Sequence, residues 1–326
     1  MNPAPSPIEF AERVAQGELR AVARAISLVE DRRPAARASA IQLLRELARR
    51  GSAAGCHRVG ITGPPGAGKS SLVSALTRAL RASGRRVGVL AVDPSSPRSG
   101  GALLGDRARI EYDPQDAGVF VRSMASGGQL GGLARAAGAA VEVLSAAFQV
   151  VIIETTGVGQ SETDVEHVAD TVLLVVQPAS GDVLQFLKAG IVEIPDLFVV
   201  NKADLGAVAQ RTHAEARAAL GALLEGTSRS TTPPVLLTSA SQGTGLDLLV
   251  QTLDERWQVL STSALSARRK AAAGAWALRL FIHRVGERGV ERSGGLATLR
   301  HKFELWIDEG CTAIEAAAKG EADLGE

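Results

Sequence analysis

Lys69 and Ser70 stand side by side at the end of Gly63-Pro64-Pro65-Gly66-Ala67-Gly68-Lys69-Ser70. That order of residue types fits G-x-x-x-x-G-K-[ST], and its chemistry is polyphosphate binding. The glycines let successive backbone N–H groups turn inward, forming an anion cradle at the positive end of a helix dipole. Lys69 would reach the β- and γ-phosphates, and the Ser70 hydroxyl would hold Mg²⁺. His57-Arg58-Val59-Gly60-Ile61-Thr62 before the loop reads as a buried strand, and Ser70-Ser71-Leu72-Val73-Ser74-Ala75-Leu76 after it as the start of a helix. This strand-loop-helix setting separates the motif from a glycine-rich turn that binds nothing. The predicted phosphate-binding stretch is therefore Gly63 to Ser71.

A second set of residues concerns the base. Asn201-Lys202-Ala203-Asp204 follows the apolar run Leu197-Phe198-Val199-Val200 and matches N-K-x-D. A carboxylate at Asp204 can accept from both N1–H and the 2-amino group of guanine. Adenine offers neither donor and would leave the acid without a partner, and sites of that kind discriminate by about 10⁴. The Lys202 stem can lie along the purine ring. Ser239-Ala240, after the apolar run 234–238, falls where a backbone N–H would read guanine O6. The order P-loop then N-K-x-D selects GTP and GDP over adenine nucleotides.

Acids at strand ends come third. Asp93 closes Ala91-Val92-Asp93 and Glu154 closes Val150-Val151-Ile152-Ile153-Glu154, so both are aimed at the rim of the phosphate loop. Mg²⁺ takes oxygen ligands and keeps several waters, so a few carboxylates suffice. Glu154-Thr155-Thr156-Gly157 stands where many GTPases carry D-x-x-G, whose glycine N–H senses the γ-phosphate. Asp106, in the irregular stretch after Asp93, can ligate Mg²⁺ or orient the attacking water. Lys188 is the candidate mobile cation, with Arg107 and Arg109 as rivals, and a solvated surface charge is the competing reading for each. The predicted metal ligands are thus Ser70, Asp93, Asp106 and Glu154, and the predicted catalytic residues are Lys69, Asp106, Glu154 and Lys188. No Ser-His-Asp set or paired glycosidase-type carboxylates are present, and the five histidines form no metal cluster. His167 and His213 read as surface residues.

These groups need a scaffold. From 57 to about 260, strand and helix patterns alternate, which predicts an α/β fold, a P-loop NTPase with a mostly parallel central sheet. Strands are expected at 57–62, 86–92, 119–122, 149–154, 171–176, 197–201 and 234–238. Helices are expected near 69–83, 131–147, 184–193, 208–225 and 245–260. Stretches 93–118 and 155–170 lack periodicity and follow strand ends, where ligands of open sheets bind. Leu19, Val22, Ile26 and Val29 line one helix face, Ile41, Leu44 and Leu47 a second, with Gly17 and Pro34 as punctuation. Beyond residue 262, Leu278, Phe281, Ile282 and Val285 form one further stripe and Leu299, Phe303 and Trp306 another, while residues 320–326 read as frayed. The chain divides into an N-terminal helical arm (1–54), a P-loop GTPase domain (55–260) and a C-terminal helical extension (261–326), the last a candidate dimerisation arm. All three tryptophans fall after residue 256, and they suit either an oligomer contact or ordinary packing.

Composition narrows the class. The formal net charge is +1 among 326 residues, with bases scattered among acids, so no basic face points to nucleic acid. Cys56 and Cys311 are far apart and give neither a disulfide framework nor a zinc site. The N-terminus has no signal-peptide pattern, and no apolar run is long enough to span a bilayer. The expectation is a cytoplasmic protein without membrane contact.

Taken together the motifs resemble the methylmalonyl-CoA mutase-associated GTPases, the MeaB/ArgK-type P-loop G proteins. The residues that carry the resemblance are Gly63–Ser70, Val92-Asp93-Pro94-Ser95-Ser96-Pro97-Arg98-Ser99-Gly100-Gly101, Leu104-Gly105-Asp106-Arg107, Glu154-Thr155-Thr156-Gly157-Val158-Gly159-Gln160-Ser161-Glu162, Gly181-Asp182 with Gln185 and Lys188, and Asn201–Asp204. They run from the N-terminal helices to about residue 290. The resemblance implies a homodimeric GTPase that chaperones an adenosylcobalamin-dependent acyl-CoA mutase, gating cofactor delivery and protecting or reactivating the mutase, with a cobalamin adenosyltransferase as a further partner. It implies phosphate and Mg²⁺ roles for Lys69 and Ser70, a metal shell of Asp93 and Glu154, a catalytic or metal-linked Asp106, base recognition by Asn201 and Asp204, and a coupling switch over 178–190. Val183, Phe186 and Thr156 depart from the family pattern and bear on that switch. The chain has no D-x-H-x-x-G cobalamin motif, so cobalamin chemistry belongs to the partner. Competing readings are a nickel-type metal-insertion GTPase, which calls for clustered Cys and His, an ATP-dependent kinase tied to amino-acid transport, which Asp204 opposes, and a nucleotide-sensing module with little turnover.

Overall fold

The computed structural model describes residues 6–93, 110–125, 136–155, 164–179, 195–224, 232–260 and 262–325. Its strands are β1 (His57–Thr62), β2 (Val87–Asp93), β3 (Val119–Ala125), β4 (Val150–Glu154), β5 (Thr171–Val176), β6 (Leu197–Val200) and β7 (Val235–Leu237). They form one sheet in the order β3-β2-β4-β1-β5-β6-β7, and every pairing is parallel. The helices are α1 (Pro7–Ala15), α2 (Leu19–Glu30), α3 (Pro34–Arg49), α4 (Lys69–Ala82), α5 (Ala137–Ala147), α6 (Ala207–Leu224), α7 (Leu246–Val259), α8 (Thr262–Arg292), α9 (Gly295–Asp308) and α10 (Ala313–Gly325). Gly286, at φ 66° and ψ −173°, breaks α8.

Parallel strands need crossover connections that cover both faces of the sheet, so its strands are apolar on both. In β5, Thr171-Val172-Leu173-Leu174-Val175-Val176 is buried throughout. Leu173 and Val175 join one core with Leu72 and Leu76 of α4, while Leu174 and Val176 join a second with Phe198, Ala216 and Leu220. A strand covered on both sides shows no polar alternation. Edge strand β3 alternates in burial and runs three residues beyond the expected 119–122, carried to Ala125 by its pairing with β2.

From β1 the chain moves out to β2 and β3, returns to β4 beside β1, then continues on the other side with β5, β6 and β7. The order therefore reverses around β1. A crevice opens at the carboxyl ends of strands at such a point, and it is where ligands of this architecture bind.

Contacts within the chain group it into two compact units. One is Met1–Cys56, Arg135–Gln149 and Ser261–Glu326; the other is His57–Ala134 and Val150–Leu260. Both terminal arms thus share a unit with α5, which the linear division of the sequence assigned to the GTPase domain. In the helical unit, Ser6 and Glu9 form a reciprocal cap on α1. Val22, Ile26, Leu43, Leu44 and Leu47 are buried, as are Phe281, Leu299, Phe303 and Ile307.

The frayed end expected at 320–326 is instead helix through Gly325. Glu321 pairs with Arg37 at 2.8 Å and with Arg284 at 2.9 Å, and Asp323 pairs with Lys302. Gly320 lies against Phe281 and Phe303, where an added Cβ would stand 3.0–3.1 Å from the rings. These partners are far away in sequence, so local composition did not announce them. The tryptophans pack within their own units. Trp257 stacks on His57 at 4.9 Å between ring centroids, Trp276 sits against Gly138, and Trp306 lies 5.5 Å from Phe303 with Lys302 and Lys319 over its ring. The expected helix 184–193 lies outside the described residues.

Candidate nucleotide site

The loop from β1 to α4 has a backbone that only glycine adopts easily. Gly63, Gly66 and Gly68 have φ of 142°, 83° and 84°. Gly68 is the N-cap of α4 and offers no side chain to the helix's first N–H groups, which stay available for an anion. A Cβ on Gly68 would also stand 2.6 Å from Asn201 Nδ2. Ala67 is buried, Pro65 and Gly66 form the exposed apex, Pro64 is half-buried, and Ser71 is exposed on the first turn of α4.

Lys69 is 8% exposed. Its ammonium donates to Gly63 O at 2.8 Å and Pro64 O at 3.0 Å, carbonyls of the loop itself. A buried cation needs such partners, and here they keep it at the phosphate cradle. Ser70 Oγ donates to Glu154 Oε1 at 2.7 Å, and Glu154 is 7% exposed. In register Glu154 lies beside Ile61 of β1 and Ala91 of β2. Two hard oxygen donors thus meet at the start of α4, a donor set that fits Mg²⁺. The next residue, Thr155, is tied to β1 through its N–H to Ile61 O at 3.1 Å and its hydroxyl to Thr62 Oγ1 at 3.1 Å. Asp93 ends β2. The Asp93 side chain and the whole of Asp106, Arg107, Arg109, Gly157 and Lys188 lie outside the described residues.

The base-reading loop comes from β6 and β7. Asn201, 2% exposed, links three segments. Its Nδ2 donates to Ala67 O at 3.1 Å and Gly68 O at 3.4 Å; its Oδ1 accepts from Ala240 N at 3.2 Å and Thr238 Oγ1 at 3.4 Å. Lys202 sits in the left-handed region at φ 60° and ψ 44°, and its ammonium donates to Gln177 Oε1 at 2.6 Å. Asp204 Oδ1 accepts from Ser239 Oγ at 2.5 Å and Ser241 Oγ at 3.5 Å. The Ser239 hydroxyl and the backbone N–H of Asp204 itself, with Ser241 and the Lys202 charge behind them, hold the Asp204 carboxyl below its ordinary value against the opposing effect of burial. Asp204 is exposed, so the acid is ionised and open to a ligand.

The structure therefore brings Gly63 to Ser71, Glu154, Asn201, Lys202, Asp204, Ser239 and Ala240 to the carboxyl ends of adjacent strands. Sequence reading gave Ser239-Ala240 a backbone role only. The Ser239 hydroxyl in fact grips Asp204, and the Ala240 N–H donates to Asn201. It also missed Gln177, a lone amide after β5 that no motif marks, and read His213 as a surface residue. His213 is half-buried, with Nε2 2.9 Å from Val235 O.

With this arrangement in view, comparison with known proteins is decisive. A family model described as "Methylmalonyl Co-A mutase-associated GTPase MeaB" matches residues 22–293. The chain belongs to this family. A Mycobacterium tuberculosis protein described as "Probable GTPase" is 43% identical over 288 residues, covering 86% of this chain and 83% of that one. The mouse "Methylmalonic aciduria type A homolog, mitochondrial" is 38% identical over 285 residues, covering 83% of this chain and 68% of that one. Among solved structures, one described as "Crystal structure of LAO/AO transport system kinase" superposes with a TM-score of 0.67 at 27% identity, over 100% of this chain and 98% of that one. The MeaB-type chain is thus a P-loop NTPase by fold and by family, and the match ends just before α9. Among its described residues no helix is long and apolar enough to cross a membrane.

Proposed function

We propose that this chain binds GTP with Mg²⁺, hydrolyses it to GDP and phosphate, and uses the cycle to chaperone an adenosylcobalamin-dependent acyl-CoA mutase of the methylmalonyl-CoA type. It would gate cofactor delivery and protect or reactivate the mutase, as a cytoplasmic homodimer, with a cobalamin adenosyltransferase as a further partner. The observation that carries the nucleotide reading is the bonding of Asn201 to Ala67 O and Gly68 O. It joins the base loop to the phosphate loop, so a single ligand with a purine at one end and phosphates at the other spans both. The family match supports the mutase as partner.

In this reading each residue has a physical task. Asp204, held ionised by Ser239, accepts from N1–H and the 2-amino group of guanine. An adenine ring would leave that carboxylate without donors, which sets aside the ATP-linked kinase reading. Lys69 exchanges its loop carbonyls for the β- and γ-phosphate oxygens. Ser70 and Glu154, with Asp93 from the end of β2, would hold Mg²⁺, which when bound neutralises charge on the phosphates. Asp106 would orient water or join the metal shell, Gly157 would sense the γ-phosphate, and Lys188 would supply a mobile charge.

Two measurements test this. In competition binding the protein should take GTP and GDP far better than ATP, and Asp204→Asn should move its preference toward xanthosine nucleotides. If that substitution left the guanine-to-xanthine ratio unchanged, the base assignment fails. Capture from native extract with a GTP analogue loaded should recover an acyl-CoA mutase, and adding the mutase should speed GTP hydrolysis. Recovery of none would sink the chaperone role while leaving the GTPase intact.

A further inference from the structure

We propose that Gln177 is a positioning residue of the nucleotide site, holding the Lys202 side chain in place along the purine before a nucleotide arrives. The inference rests on the guanine-nucleotide reading. Gln177 follows β5 directly, and Val176 pairs with Val200 of β6, so residues 177 and 201 leave the sheet side by side. The Asn201 N–H bond to Val176 O, at 2.9 Å, fixes that alignment. The Lys202 ammonium donates to Gln177 Oε1 at 2.6 Å. Because an ammonium has only donors, the amide must present its oxygen there, and its orientation is set. Gln177 also reaches the phosphate loop. A Cβ on Gly66 would stand 3.6 Å from Gln177 Nε2 and 3.7 Å from Oε1, and one on Gly68 would stand 4.0 Å from Lys202 Cε.

Three strand ends thus meet through one lysine. The left-handed backbone of Lys202 aims the stem, and Gln177 fixes its tip. A free lysine loses rotamer freedom on binding a base; a lysine already bonded to a neutral amide loses less. The neutral partner also leaves the cation's charge available to the Asp204 carboxylate, for which it is one of the favourable influences. Asp204 chooses between bases, and Gln177 acts only on how tightly either is held.

The test uses full-length protein and fluorescent GDP, GTP and XDP. Gln177→Leu should weaken GDP and GTP alike by about tenfold, the size of one hydrogen bond to a charged group, mostly through faster release. The GDP-to-XDP ratio should not move. Gln177→Glu keeps an acceptor at the same reach and should recover affinity relative to the leucine variant, while the charge it adds beside Lys202 and the phosphate loop keeps it weaker than wild type; Gln177→Asn keeps the amide but is too short and should behave like the leucine variant. In a Lys202→Met background Gln177→Leu should cost less than about twofold, since its target is gone. Melting temperatures identify any variant that is merely misfolded, and the glutamate and asparagine pair then decides. The inference falls if Gln177→Leu binds like wild type, if glutamate fails to rescue, or if the loss persists without Lys202. Wild-type protein with no preference for guanine overturns it together with the base assignment. A guanine preference that is indifferent to Gln177 overturns it alone.

Discussion

Replacing Asn201 separates the architecture of the site from its ligand chemistry. The side chain is 2% exposed and makes two good hydrogen bonds, to Ala67 O at 3.1 Å and from Ala240 N at 3.2 Å, with longer ones to Gly68 O and from Thr238 Oγ1. Asn201→Ala removes all four and leaves the partners of the two short ones in need of water. At about 1 kcal/mol per bond plus the desolvation of those partners, the cost is about 2–3 kcal/mol. Asn201→Asp should be worse at neutral pH. It keeps the acceptor for Ala240 and Thr238 but turns a carboxylate oxygen toward the carbonyls of Ala67 and Gly68. Those carbonyls and burial raise the folded-state pKa of the new acid above its unfolded value. The native state then binds the extra proton more readily, so stability falls as pH rises from the unfolded toward the folded pKa, and recovers on acidification as the acid regains a donor. Hydrogen–deuterium exchange on peptides from β1 and β6 reads this unit by itself. The expected result is faster exchange in Asn201→Ala at every pH, and a larger acceleration in Asn201→Asp that shrinks toward pH 5. Equal effects of the two variants, or no pH dependence for the aspartate, would refute the reasoning.

Three further outcomes follow from the same contacts. Ser239→Ala removes the leading cause of the lowered Asp204 pKa, so GDP affinity should begin to fail at a higher pH during acidification than in wild type, seen in a binding titration from pH 7 downward. The sign follows from a depressed carboxyl, whose contribution is present above its pKa and is lost as pH drops through it. Gly68→Ala places a Cβ 2.6 Å from Asn201 Nδ2 at φ 84°; it should cost about 1–2 kcal/mol of backbone strain alone and weaken nucleotide binding at least tenfold by calorimetry. Gly320→Leu puts a large side chain where even a Cβ would stand 3.0–3.1 Å from Phe281 and Phe303 and should destabilise the helical unit by about 1–3 kcal/mol in exchange measurements on α10 peptides while leaving nucleotide affinity unchanged.

The sheet was legible because burial on both faces writes itself locally. Val150-Val151-Ile152-Ile153 and Thr171 to Val176 admit few other readings, and each lies within a residue of its expected place. The polar Ser123 gives no local sign that β3 continues past Arg122, and only pairing with β2 reveals the strand's end. The phosphate loop and Asp204 were legible because their chemistry demands fixed spacing. Gln177 was not, since its partner Lys202 is 25 residues away and nothing in an amide after a strand specifies what it meets. The helix through Gly325 escaped for the same reason, its stabilising charges lying on Arg37, Arg284 and Lys302.

That one compact unit is assembled from Met1–Cys56, Arg135–Gln149 and Ser261–Glu326 sets an order of events during synthesis. Every strand of the sheet leaves the ribosome before the third and last segment of the helical unit exists. Until then Gly138 of α5 lacks Trp276, and Arg37 and Arg45 of α3 lack Glu321 and Glu315. Domains complete in chain order fold as they emerge, but this unit can close only late. Removing either arm to obtain a smaller GTPase would therefore leave α5, tethered between β3 and β4, without the helices that complete its unit, and a soluble fragment calls for redesign of the apolar surface of α5 rather than a cut at residue 56 or 261.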